Sequence, residues 1–458
     1  MTEMKLSSSF RDPAGAVFIK DQTLYRVIHS AYRKVYDHLM GSGLYQGLVD
    51  EGLLIPHAEV PPDTISAEDV YKIIQPAAVP VISYPYEWCF SQLNHAALLT
   101  LKIMKRAMDD GMMLKDASAY NIQFWQGRPV LIDTLSFEFY SEGSPWPAYR
   151  QFCRHFLAPL ALAGYCDSRL SQLSRVHLDG IPLDLASRIL PKRTYFNFGL
   201  FVHIHLHARS EKYFESRSFN KNRRVSKLSL LGMLESLESV TRSLKWKSKA
   251  EASAWSDYDS LDSYSSQAAK EKEETVASWI EQMAPRQVWD LGGNAGNYGR
   301  IASRRGILTV SLDSDPSACE RCYLQTVRDQ ETNLLPVLGD LTNPSPSIGW
   351  ENRERSALWD RGNPDLVLVL ALMHHLTLTH HISFSQWGAF LSRLSPWVIL
   401  EFIPPDDPQV QKIIRACPER LEGYSRGFFE KEIEKFFATE AVRELSGSGR
   451  VLFLLRRK

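Results

Sequence analysis

Acidic residues that each close an apolar run carry the clearest chemical signal in this chain. Val288-Trp-Asp-Leu-Gly-Gly-Asn-Ala-Gly-Asn-Tyr-Gly299 leads an apolar strand into Asp290 and then into a glycine-rich turn. Gly292, Gly293 and Gly296 allow backbone angles and close approaches that a Cβ would block, so the turn can seat a nucleotide-like cofactor. Asp313 closes a second apolar run, Gly306-Ile-Leu-Thr-Val-Ser-Leu312, and its two carboxylate oxygens suit the two hydroxyls of a ribose. Asp340 follows a third run, Leu334-Leu-Pro-Val-Leu338. A fourth, Pro364-Asp-Leu-Val-Leu-Val-Leu-Ala371, ends just before His374 and His375.

The elements that must carry these residues alternate. Each apolar run reads as a strand, a helix is expected to start near Tyr298, and a fifth strand, Trp397-Val-Ile-Leu-Glu-Phe402, follows a helix-like segment. Such alternation predicts an α/β domain with a doubly wound, Rossmann-like sheet. Asp290-Leu-Gly-Gly-Asn-Ala-Gly296 reads D-x-G-x-N-x-G rather than the dinucleotide pattern G-x-G-x-x-G. It resembles motif I of the class I S-adenosylmethionine-dependent methyltransferases, in which Asn is a familiar variant at the position of Asn294. The resemblance covers roughly residues 255–458.

That resemblance implies S-adenosylmethionine as cofactor, held by Asp290, Gly292, Asn294, Gly296, Asp313 and Asp340. Asp290 would hold the methionine end, directly or through water, and Asp340 would lie beside the adenine amine. A segment ahead of the first helix often folds over the cofactor in this class, which brings in Tyr258 or, as the candidate retained, Tyr264. The acceptor would sit at the carboxyl edge of the sheet, making His374 or His375 the candidate general base. In many class I enzymes histidines of this motif are structural or touch the cofactor. Glu401, Asp406 and Asp407 read as loop or cap residues, and the N-P-P-Y signature of amino-directed nucleic-acid enzymes is absent.

The other half carries a second pattern. Lys115-Asp-Ala-Ser-Ala-Tyr-Asn121 and Ile132-Asp133 resemble the catalytic loop and metal-binding aspartate of kinase-like folds. Asp116 would then orient an attacking hydroxyl, while Asn121 and Asp133 would hold magnesium under the phosphates of ATP. Asp133 is followed by Thr134-Leu135 rather than Phe-Gly, and no glycine-rich phosphate loop occurs near Asp12-Pro-Ala-Gly15. Across the whole chain, Ser9-Phe-Arg-Asp-Pro-Ala-Gly15, the Asp116 loop, Ile132-Asp-Thr-Leu-Ser-Phe-Glu138 and motif I resemble bacterial methyltransferases related to host-specific nodulation proteins.

Composition frames these motifs. At 458 residues the chain exceeds a single core. The expected organisation is an α+β, kinase-like region over 1–140, a mostly helical region over 141–250 completing it, and the methyltransferase domain over 251–458. Lys plus Arg and Asp plus Glu are both 53, so net charge does not call for nucleic acid or membrane. With no apolar run long enough to span a bilayer and no apolar signal core, the expected place is the cytoplasm, without membrane insertion. Six scattered cysteines make no disulfide framework, and Cys319 and Cys322 read as one face of a helix. No metal site is expected: His203, His205 and His207 lie in a helical region, where spacing of two scatters them. The basic run from Arg217 to Lys227 reads as a solvated loop rather than a nucleic-acid grip.

The expected activity is methyl transfer to an acceptor that is a small molecule rather than nucleic acid, with the N-terminal half recognising it. Alternatives are a bifunctional or phosphotransfer enzyme using Asp116, Asn121 and Asp133, and a non-catalytic cofactor-binding interaction protein.

Overall fold

The computed structural model describes residues 3–6, 9–210, 224–246, 266–415 and 423–458. Two compact units emerge, one formed by Met1–Lys247 with Pro346–Ser356, the other by Ser248–Ser345 with Ala357–Lys458.

The first unit begins with an antiparallel sheet of β1 (Glu3–Lys5), β2 (Gly15–Lys20), β3 (Thr23–His29), β4 (His57–Val60) and β5 (Val70–Pro76), ordered β1-β2-β3-β5-β4. The β2–β3 hairpin turns on Asp21 and Gln22, both with positive φ (49° and 65°), which matches the right-handed twist of the strands. Two helices follow β3, α1 (Arg33–Gly41) and α2 (Leu44–Asp50), divided where Gly43 takes φ 85° and cannot continue the first. Next come α3 (Phe90–Asp109), β6 (Met112–Leu114), β7 (Ile122–Trp125), β8 (Arg128–Leu131) and β9 (Phe137–Phe139), paired β6 with β9 and β7 with β8. The rest is helical: α4 (Ala158–Tyr165), α5 (Leu183–Ile189) and α6 (Lys227–Ser243), with π-helical stretches at Cys153–Leu157 and Phe201–Leu206.

The second unit opens with α7 (Ser266–Met283) and then alternates β10 (Gln287–Leu291), α8 (Gly299–Ser303), β11 (Leu308–Asp313), α9 (Pro316–Arg328), β12 (Leu334–Leu338), β13 (Leu366–Val369), α10 (Met373–His380), α11 (Phe384–Leu394) and β14 (Trp397–Phe402). After α12 (Pro408–Ile414) and α13 (Arg426–Ile433), β15 (Phe437–Glu444) and β16 (Val451–Arg457) complete a sheet ordered β12-β11-β10-β13-β14-β16-β15. Strands β10 to β14 run parallel and β16 returns antiparallel on β14, a closing pair that the motifs did not predict. The α7 residues Val276 and Ile280 pack on Val288, Leu366, Leu368 and Ile399, all fully buried. Strand order reverses between β10 and β13, and a crevice outside the carboxyl ends of the strands at such a point is where ligands bind in open α/β sheets.

The excursion Pro346–Ser356 lies between β12 and β13 in sequence but belongs to the first unit. Its Glu354 takes Arg11 Nε and Nη2 at 2.7 and 3.0 Å, Ser356 N–H donates to Tyr84 Oη, and Arg355 stacks over the Tyr120 ring at 4.4 Å.

Candidate active site

A cavity of about 410 Å³ opens at the carboxyl ends of the second unit's strands, within the size range of small-ligand sites. Asp290, Gly292, Asn294, Asp313 and Asp340 all line it. The geometry explains the glycines: a Cβ on Gly293 would stand 2.3 Å from Ser311 Oγ and 2.8 Å from Asp290 Oδ2, and one on Gly292 would meet Leu372 at 2.9 Å. Asn294 sits at φ 48°, in the left-handed region that Asn tolerates better than most residues, which accounts for Asn where a glycine is commonplace. Its Oδ1 accepts from Arg321 Nη2 at 2.9 Å. Gly296 does not line the cavity; it packs against Cys322, whose Sγ a Cβ would approach to 2.6 Å, so its place is in the turn's packing.

The carboxylates are partly committed to backbone. Asp290 Oδ2 accepts the Gly299 N–H at 2.9 Å and ties the turn to α8; burial pushes its carboxyl up to about 7. Asp313 accepts Asn294 N–H on Oδ2 and Asp315 N–H on Oδ1, each at 2.8 Å, and burial raises it too. With the Ser314 N–H as a further backbone donor, only part of the carboxylate's acceptor capacity is left for a ligand hydroxyl. Asp340 uses Oδ1 to cap its own turn through Thr342 N–H and Oγ1.

Two residues the motif reading did not place at the site stand out. Lys272 of α7 is buried and lines the cavity; it is the one lysine or arginine among the described lining residues. Its Nζ donates to Glu401 Oε2 at 2.8 Å and lies 4.4 Å from the Tyr298 ring centre. Glu401, expected as a loop or cap residue, is wholly buried in β14. The same Oε2 accepts the Ala371 N–H at 2.8 Å, while Oε1 is 3.9 Å from Arg450, which pairs in turn with Asp407 at 2.8 Å. Ala371 lines the cavity at φ 50°, a left-handed conformation costly for a residue with a Cβ, and Glu401 holds it there. A sequence signal for Lys272 did exist: it falls four residues before Val276 on the apolar stripe of its helix, where a charge needs a buried partner.

The histidines divide. His375 lines the cavity with Leu376, Thr379 and His380, and burial with the Arg450 guanidinium pushes its imidazole down to about 4. His374 does not line it; buried beside His375, it has both ring nitrogens without hydrogen-bond partners, and burial holds it well below the usual imidazole range. The pairing of both histidines as candidates thus narrows to His375, because one turn of helix cannot aim adjacent side chains the same way. Tyr264 and Tyr258 lie outside the described residues.

In the first unit, the folded chain brings Asp116, Asn121 and Asp133 to one loop cluster. Asp116 accepts from Ser118 N–H at 2.8 Å and bonds the Asn121 side chain; burial, with the nearby Asp133 charge, raises its carboxyl. Asn121 Nδ2 donates to Ser136 Oγ, which itself donates to Asp133. Asp133 is already engaged: Arg26 Nη1 lies 2.5 Å away and Leu135 N–H donates to it. Asp12 meets both Arg26 and Lys115, at 3.4 and 3.3 Å. Among the described residues no group of three His, Cys, Asp or Glu side chains is placed to hold a metal ion.

The remaining motifs have structural partners. His203 bonds Tyr149 and Ser236, while His205 bonds Ser187 and Thr194 on another side. The buried thiols of Cys319 and Cys322 lie on α9, Cys319 Sγ within 3.5 Å of the Asp313 and Val337 carbonyls. Residues 217–223 of the basic run lie outside the described residues, and no described helix is long and apolar enough to cross a membrane.

No family model matches the chain. Nodulation protein NoeA of Rhizobium meliloti (strain 1021) is 31% identical over 461 residues, spanning 99% of this chain and 96% of that protein. Among solved structures, the N-methyltransferase NodS of Bradyrhizobium japonicum WM9 in complex with S-adenosyl-L-homocysteine overlaps 44% of this chain and 93% of its own, at 12% identity and TM-score 0.33. Magnesium protoporphyrin IX methyltransferase of Synechocystis PCC 6803, also with S-adenosylhomocysteine, overlaps 42% and 84%, at 16% identity and TM-score 0.32.

Proposed function

The chain belongs to the NoeA family of nodulation proteins, and on that footing we propose that its second unit transfers a methyl group from S-adenosylmethionine to a small-molecule acceptor, which the first unit helps to recognise. One observation carries the reading: three strand-end carboxylates and a buried lysine converge on a single cavity beside a turn that side chains beyond Cβ-less glycine would fill. When bound, the cofactor supplies an electrophilic methyl group on a sulfonium sulfur.

The chain's own residues supply position and charge. Asp313 accepts the ribose hydroxyls, Asp340 stands toward the adenine and Asp290 toward the cationic methionine end. Lys272, paired on one side with Glu401, offers the cavity's buried positive charge to the cofactor's carboxylate. Methyl transfer is an in-line displacement, so holding the acceptor within van der Waals reach can provide much of the acceleration. His375 is neutral at physiological pH and takes the acceptor's proton on its imidazole; its lowered basicity suits an acceptor that gives up its proton only as the bond forms.

Calorimetric titration of the full chain with S-adenosylmethionine and S-adenosylhomocysteine tests this. Saturable binding of both is expected, and no heat at millimolar concentration would end the proposal. Binding without any acceptor in a methyl-labelling screen of cell extract would favour the non-catalytic interaction protein.

A second reading rests on the meeting of Asp116, Asn121 and Asp133 in one cluster. In it the first unit binds ATP with magnesium, and Arg26 must release Asp133 for the metal to enter. Magnesium-dependent ATP binding that Asp133→Ala abolishes would support this; identical titrations with and without magnesium would refute it.

A further inference from the structure

A corner of the first unit displays aromatic rings to solvent on a backbone built to hold them there. Phe196 is 93% exposed and Phe198 76%. They flank Asn197 at the junction of the 3-10 turn Lys192–Phe196 and the short helix Phe198–Leu200, which Asn197 caps by accepting from Leu200 N–H at 3.0 Å. Beneath, His205 fastens the turn: its Nε2 bonds Thr194 Oγ1 at 2.8 Å, its Nδ1 bonds Ser187 at 2.8 Å, and its ring stacks on Tyr195 at 3.8 Å. Thr194 Oγ1 also donates to the Pro191 carbonyl. The residues between the two phenylalanines and the core are thus tied down, and the rings themselves are left out.

The surroundings are cationic. Lys192 and Arg193 belong to the turn itself and Arg209 follows the histidine that fastens it, while Arg188 is paired with Asp184 at 3.5 Å. Arg193 Nη2 reaches the Tyr165 carbonyl at 3.4 Å, and the Arg209 guanidinium lies 5.8 Å from the Tyr195 ring, so both stand beside the aromatic turn. Two phenylalanines bury roughly 150–250 Å² each, well below the ~800 Å² per partner of a stable protein interface. Rings with a rim of cations instead match the headgroup boundary of an anionic bilayer, where apolar side chains enter the acyl region and lysine and arginine meet phosphate.

We propose that the Phe196–Phe198 turn, with Lys192, Arg193 and Arg209, is a docking site for an anionic membrane surface. The attachment is peripheral and reversible, since a small apolar wedge and a basic patch each hold weakly alone.

Co-sedimentation of the full chain with vesicles of phosphatidylcholine alone, or mixed with phosphatidylglycerol, tests it. The protein is expected to sediment only with the anionic vesicles and to be released by high salt. Phe196→Ser with Phe198→Ser is expected to reduce partitioning about tenfold, and Lys192→Ala or Arg193→Ala about fivefold each, as one cation near such a surface contributes. Melting curves identical to wild type are expected to show that these exposed positions leave the fold intact. Failure to bind anionic vesicles, or equal binding by the phenylalanine variant, would overturn the proposal. So would a dimer in sedimentation equilibrium that the same variant dissolves, which would assign the corner to a second copy of the chain.

Discussion

The carboxylates of the two units face opposite circumstances. At the edge of β10, β11 and β12, Asp290, Asp313 and Asp340 border open space, bonded to backbone N–H groups that leave part of each carboxylate unsatisfied. In the first unit, Asp133 and Asp12 are closed off by Arg26 and Lys115, and Asp116 by its own loop. Acidic residues in a suggestive order are therefore not equivalent evidence. A carboxylate that caps a turn beside a cavity keeps capacity for a ligand, whereas one that meets a guanidinium has spent its charge on the fold.

The largest effect should come from the buried pair that joins the two kinds of role. Glu401→Ala strands the buried Lys272 without that carboxylate, leaves Arg450 to Asp407 alone, and should destabilise the second unit by about 3–5 kcal/mol in denaturant unfolding. Arg26→Met, at a pair that solvent still reaches, should cost clearly less; equal losses would erase the contrast between the units. Next, Asp313→Ala should weaken S-adenosylmethionine binding roughly ten- to a hundredfold, about 1.5–3 kcal/mol, with Asp133→Ala leaving it unchanged in the same titration. An unaltered affinity in Asp313→Ala would place the ribose elsewhere.

A pH experiment sharpens the same comparison. Asp290 has a folded pKa near 7, above the ordinary carboxylate value of 3.8, so the native state binds its proton more tightly than the unfolded chain. Its contribution to stability is complete below about pH 3.8 and is lost as pH rises toward 7. Asp290→Asn keeps an oxygen for the Gly299 N–H and removes the titration, so its melting temperature relative to wild type should climb across that window. A constant difference would show that burial does not hold the proton. The smallest change is expected at Asn294→Gly, which eases a left-handed residue but loses the Arg321 bond, for a net shift within about 1 kcal/mol by thermal unfolding; Asn294→Val should be clearly worse.

Much of the second unit was legible because its signals are local. Strand, acidic end, glycine turn and helix follow one another around Asp290, and β11, β13 and β14 each lead on into a helix. What escaped is what depends on distant partners. Glu401 looks like a strand-end acid until Lys272, from a helix that precedes the whole sheet, is folded against it. The antiparallel β15 and β16 carry no motif. In the first unit the spacing of Asp116, Asn121 and Asp133 was visible, but the Arg26 that meets Asp133 comes from β3, far back in the chain.

The excursion at Pro346–Ser356 has a consequence for how such a protein can be inherited. Severing the gene near codon 250 would give a C-terminal piece that still carries Glu354, Arg355 and Ser356 but has left Arg11, Tyr120 and Tyr84 behind. Neither half is a cassette that recombination can lift out and graft elsewhere without mending a seam at two distant points. Lineages would then keep or lose both halves together, which is how the likeness to NoeA runs, through 99% of the chain rather than through one part of it.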